Sequence, residues 1–78
     1  MQPPSIPAAL AKLDSLPDSA LSLTVKDVAL ILGRSESSVW RDARLGKMPR
    51  GVKTGPASTR WNVGALRRHL AALAEGAA

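Results

Sequence analysis

Seventy-eight residues with eleven Lys and Arg against six Asp and Glu make one small basic domain, with room for a modest core and none for a deep catalytic cleft. The absence of cysteine and the single histidine, His69, exclude a disulfide framework, a thiolate metal centre and a zinc site, so neither metal nor cofactor is expected. No apolar run approaches the roughly 20 residues of a membrane helix, and the first residues lack a basic segment followed by an apolar one, so a cytoplasmic protein with no membrane partner is expected.

The charge is unevenly spread. Residues 1–22 set Lys12 against Asp14 and Asp18, whereas every other base lies in residues 23–78, opposed only by Asp27, Glu36, Asp42 and Glu75. A small basic domain of this kind meets nucleic acid or an anionic surface; a plainly soluble exterior is the simpler alternative.

Along the chain, the segment 1–22 holds four of the six prolines and an apolar stripe at Ile6, Leu10 and Leu13, spaced for one helix face and stopped by Pro17. It is expected as an N-terminal extension, either a short helix or disordered, ahead of a domain spanning 23–74, with 75–78 as a frayed tail. "TVKD" at 24–27 reads as a capping box, with the Thr24 hydroxyl accepting from the Asp27 amide and the Asp27 carboxylate reaching back. A helix then starts at Val25, turns Val28, Ala29 and Leu32 inward, and closes at Gly33. Leu30 points outward on this helix, so the Ile6, Leu10, Leu13 stripe is expected to cover it, within the chain or on a second copy.

Ser35 is a good N-cap for a second helix over 36–45, stopped by Gly46, and two helices with so short a joint make a helix-turn-helix. "RGVKTGPASTRW" then changes period and reads as a β-hairpin over 52–61 with a longer loop at "TGPAS". Asn62 caps a third helix with Val63, Leu66, Leu70 and Leu73 inward and Gly64, Arg68 and Ala72 opposite. The expected fold class is therefore mainly α with a small β-hairpin, a winged helix-turn-helix.

On the second helix, with Val39 facing the core, Ser37, Arg41 and Arg44 all fall about 140–200° away at 100° per residue and point outward together. Trp40 stands on the shoulder, where the indole packs its body and exposes its edge beside the bases. Polar and cationic groups in such a row suit the major groove of DNA. Arginine's fork binds either guanine edges or phosphate, and Arg41 is assigned to bases and Arg44 to the backbone because the N-terminal half of a recognition helix touches bases. Arg34, Ser35 and Ser37 are candidates for phosphate through charge, hydroxyl and exposed amide.

Lys47, Arg50, Lys53 and Arg60 add positive charge on and before the hairpin, and a wing straddling the backbone would use them. The plainer readings are a solvated face with local pairs such as Glu36 or Asp42 with Arg41, and a scaffold role for Arg60 toward Asp42 or Asp27. Trp61 is expected in the core and His69 on the surface. No strand-turn-helix nucleophile elbow and no Gly-rich phosphate loop is present, so no enzymatic activity is expected.

With these elements in place, the run from Leu23 to Leu73, some two thirds of the chain, resembles the AlpA-like and excisionase-like group of small winged helix-turn-helix proteins, related in architecture to the MerR superfamily. The likeness rests on Val28, Ala29, Leu32, Gly33 and Ser35; on Trp40 and Arg41; on Gly46 and Pro49; on Val52, Lys53 and Gly55; and on Arg60 and Trp61. It implies double-stranded DNA binding by a phage, prophage or mobile-element protein, with recognition-helix contacts at Ser35, Ser37, Arg41 and Arg44 and a wing contact at Lys53. A transcription regulator is the first function it implies. The second is an excisionase-type directionality factor, acting as a homodimer or cooperative oligomer on DNA and working with an integrase or another phage protein. From another class, the rival is a protein-interaction adaptor for phage assembly or packaging. One departure is Ala57 beside Pro56 at the wing tip, where the family often carries a base; it implies a weaker grip there.

Overall fold

Trp61 is fully buried in the middle strand of a three-stranded antiparallel sheet, and the helices pack around it. A computed structural model describes residues 6–76, with the side chain of Ile6 outside that description. In chain order the elements are α1 (Ile6–Ser15), β1 (Leu21–Leu23), α2 (Val25–Leu32), α3 (Glu36–Arg44), β2 (Val52–Gly55), β3 (Ser58–Asn62) and α4 (Val63–Gly76). The result is a small mixed α/β domain of four helices and one sheet in the order β1-β3-β2 among the described residues.

The α2–α3 pair is written into local sequence. Thr24 Oγ1 accepts from the Asp27 amide at 3.1 Å while the Thr24 amide donates to the Asp27 carboxylate at 3.1 Å, which satisfies two of the free donors at the helix start. Gly33, at φ 66°, takes the left-handed conformation that ends α2. The next helix closes in a Schellman arrangement on Gly46 at φ 78°, with the Gly46 amide donating to Ala43 O and the Lys47 amide to Asp42 O. Val28, Ala29, Val39 and Ala43 face inward and meet Leu13, Leu23, Met48, Trp61, Val63 and Leu66 in one core.

The strand β1 had no counterpart in the elements expected from the sequence. Its pairs are Leu21 with Asn62 and Leu23 with Trp61, so it crosses the boundary expected between residues 22 and 23, and Leu23 is fully buried. The preceding helix forms, but it docks differently from the expected stripe: Ala9 and Leu13 are buried, Leu10 is exposed, and the Ile6 side chain falls outside the described residues. Leu13 enters the common core, whereas Leu30 is half-buried beside a groove formed with Lys26, Ala29, Arg34, Ser35 and Glu36. A helix this short needs outside support. It receives it from Arg67 of α4, whose Nε donates to Leu13 O at 2.8 Å, whose Nη2 donates to Leu13 O and to Leu16 O at 2.6 Å, and whose Nη1 meets Asp18 at 2.5 Å. A cation on the last carbonyls of α1 also opposes that helix's dipole. Lys12 adds an ion pair to Asp27 at 2.8 Å, tying α1 to the capping box of α2.

Asn62 caps α4 as expected, its Oδ1 accepting from the Ala65 amide at 2.8 Å. Two further amides of the first turn, Val63 and Gly64, donate to Ala20 O and Asp18 O at 2.9 and 3.0 Å. This close approach buries Gly64, which the helical pattern had placed on the open side; the segment before β1 lies across it. At the other end, Leu73 is 51% exposed where the pattern had it inward, because α4 runs to Gly76 and its last six described residues, 71–76, project beyond the core. The hairpin turn is also shorter than expected. Gly55 pairs with Ser58, leaving only Pro56 and Ala57 between the strands. Proline presets the first turn position, so neither neighbour needs a positive φ.

Two stability tests follow from these contacts. A Cβ at Gly64 would stand 2.8 Å from Asp18 Cβ and 2.9 Å from Asp18 O, so Gly64→Ala should cost about 1–3 kcal/mol in denaturant melts. The matched control Gly76→Ala, whose Cβ meets nothing within 4 Å, should be near neutral. At Asp27, burial pushes the carboxyl up, but hydrogen bonds from Lys12 and Thr24 outweigh it and hold the group below its ordinary range. A depressed folded-state value stabilises above the unfolded pKa and loses that contribution as pH falls through the folded one. Wild type should therefore exceed Asp27→Asn in melting temperature near neutral pH, and the gap should close as pH drops below about 4.

Candidate nucleic-acid interface

The outer face of α3 is set by the burial of its inner one. Val39 is 1% and Ala43 5% exposed, which turns Ser37, Arg41 and Arg44 to solvent. Ser35 caps the helix, its Oγ accepting from the Ser38 amide at 3.1 Å and donating to Ser38 Oγ at 2.9 Å. That occupies the hydroxyl expected to bind phosphate, so Ser35 is first a structural residue and Ser37 has the freer hydroxyl.

Arg34 is likewise engaged. Its Nη2 lies 3.2 Å from Asp42 Oδ2, across the joint between α2 and α3, while Arg41 Nε lies 3.8 Å from the other oxygen of the same carboxylate. Asp42 is only 16% exposed and so anchors the joint; the pair with Arg41, itself 57% exposed, is long and solvated. The expected local pair between Asp42 and Arg41 is thus present, and Glu36 is not Arg41's ion-pair partner among the described residues. Sequence reasoning missed the anchoring role of Asp42, because Arg34 and Asp42 sit on either side of a non-helical joint where no i, i+4 spacing points from one to the other.

Arg44 has an exposed side chain, and its carbonyl accepts from Arg50 Nη2 at 3.5 Å, which places a second cation at the C-terminal end of α3. Lys47 lies past that end, exposed, beside a cleft of about 240 Å³ with Leu32, Arg34, Asp42, Met48, His69 and Leu73.

The hairpin divides its two cations between two faces. Lys53 pairs with Thr59 and Val52 with Arg60, and directly opposed residues share a face. Lys53 therefore stands on the side of Thr59 and Trp61, and Arg60 on the reverse. Arg60 meets neither Asp42 nor Asp27, the scaffold partners considered for it; its Nη1 donates to Thr59 O at 3.0 Å.

Trp40 is 46% exposed although it is one of only two aromatic residues. Its ring centroid lies 5.3 Å from that of Trp61 at an interplanar angle of 55°, an edge-tilted pair. Trp61 is held in turn by its Nε1, which donates to Pro49 O at 2.9 Å. The indole of Trp40 thus bridges α3 and the Trp61 face of the hairpin, its outer part bare beside Arg41.

Together, α3 and the hairpin present Ser37, Trp40, Arg41, Arg44 and Lys53 outward; Ser35 and Arg34 are used locally, and Arg60 lies behind. Among the described residues no helix is long and apolar enough to cross a membrane. Comparison with family models, curated proteins and solved structures finds no match for the chain.

Proposed function

We propose that the protein binds double-stranded DNA as a sequence-specific regulator, a winged helix-turn-helix in which α3 enters the major groove and the β2–β3 hairpin acts as the wing. The observation that carries this reading is the outer face of α3: Ser37, Arg41 and Arg44 stand exposed on the side opposite buried Val39, Arg41 holds only a long, solvated pair with Asp42, and no carboxylate neutralises Arg44 among the described residues. A helix of this diameter fits the major groove, and arginine there binds guanine edges or phosphate. The two-residue turn makes the hairpin a short projection, with Lys53 on the Trp61 face to meet a neighbouring phosphate.

The likeness to AlpA-like and excisionase-like proteins adds a setting to this reading, a phage or mobile element, and a site of action, the DNA of the cytoplasmic nucleoid. An excisionase-type directionality factor is the second reading that the same likeness supports. No cofactor, metal or catalytic step enters the reading.

A titration of duplex DNA at several salt concentrations tests it. Arg41→Ala should cost about 1–3 kcal/mol on the preferred sequence and relax specificity, whereas Arg44→Ala should weaken all sequences alike and lower the salt slope by about one. Equal, salt-independent binding by wild type and both variants would favour protein docking instead.

A further inference from the structure

The outer face of α3 has an asymmetry in what it can read. Its sequence, "ESSVWRDAR", supplies arginines suited to guanine but neither Asn nor Gln, the side chains that pair bidentately with adenine. Serine hydroxyls can bond to either base pair, so the feature of A·T in the major groove that calls for an apolar reader is the 5-methyl group of thymine. Two apolar side chains near Arg41 are exposed, Trp40 at the midpoint of α3 and Leu45 past its end, and of these the indole of Trp40 lies nearer the N-terminal half that touches bases.

The indole also has a packing partner behind it. It rests on Trp61, against which Gly51 also packs closely: a Cβ there would lie 3.1 Å from the Trp61 ring and 2.4 Å from Thr59 Cγ2. Trp61 Nε1 donates to Pro49 O, so the ring behind Trp40 is itself anchored to the backbone. A preorganised aromatic surface loses little freedom on contact, which suits it to a weak, directional apolar interaction. Its bases and the arginine beside it supply the charge complementarity to a duplex that an isolated apolar patch lacks.

Resting on the DNA-binding reading above, we infer that Trp40 is a specificity-determining residue that recognises the 5-methyl group of a thymine next to the guanine bound by Arg41. The preferred site then contains a guanine and a thymine within one or two steps of each other. Trp40 contributes selection for thymine, and Arg41 selection for guanine.

The test uses the tightest duplex that the intact chain selects from a randomised pool. Each thymine is replaced in turn by deoxyuridine, which keeps base pairing and removes only the methyl group. Wild type should lose about fourfold in affinity at one thymine in each site, the effect of withdrawing one methyl group from contact. Trp40→Ala should bind the thymine and deoxyuridine duplexes equally. Wild type indifferent to every replacement would overturn the inference, as would a Trp40→Ala chain that still discriminates, since a sugar or another side chain would then carry the contact. If Trp40→Ala unfolds, an NOE between that thymine's methyl protons and the Trp40 indole protons in the wild-type complex assigns the contact, and its absence overturns the inference. Absence of salt-dependent binding by wild type would remove the DNA-binding reading itself, whereas binding without methyl discrimination would remove this inference alone.

Discussion

The burial of Trp61 is the constraint from which the position of the exposed face follows. The ring is sealed in the central strand, hydrogen-bonded to Pro49 O, roofed by Gly51 and abutted by Trp40, so one side chain fixes the connection after α3, the start of the hairpin and the shoulder of α3 together. A large ring of this kind removes more apolar area from water than any other residue in the chain. Its environment leaves Val39 and Ala43 one way to face, and Arg41 and Arg44 are turned outward as a consequence. The cationic face is thus a by-product of core packing, and its geometry is as firm as the core.

The same logic explains why the segment before β1 matters. β1 supplies the third strand, α1 covers the side of α2 that carries Asp27, and Arg67 joins the end of α1 to α4. These contacts support the sheet from the edge opposite the hairpin. They leave α3 and the hairpin uncovered, which divides the molecule into a braced side and a presenting side.

Much of this was legible in the sequence where the determinants are local. The "TVKD" capping box, the glycines ending α2 and α3, the Asn62 cap and the inward residues Val28, Val39 and Leu66 each depend on neighbours within one or two turns. The parts that were not legible depend on distant partners. Arg67 meets carbonyls of Leu13 and Leu16, more than fifty positions away, and nothing in its own helix distinguishes it from Arg68. Gly64 reads as a poor helix residue until Asp18 is seen against it. Strand β1 is three residues long, too short for alternation to identify, and exists because β3 has a free edge to pair. In the candidate site, the direction of Arg41 and Arg44 followed from the helical period, whereas the use of Arg34 by Asp42 and the turning of Arg60 to the reverse face required the joint and the strand register.

The central claim is that the presenting side, α3 with the Trp61 face of the hairpin, is the surface that meets a duplex. Backbone amide resonances followed by NMR during addition of duplex DNA in low salt test it most directly. The account predicts perturbations concentrated on residues 37–44 and around Lys53, with Ala9, Leu13 and Leu73 unmoved. Changes centred on α1 or the projecting end of α4, or a spectrum that does not respond to DNA, would contradict it.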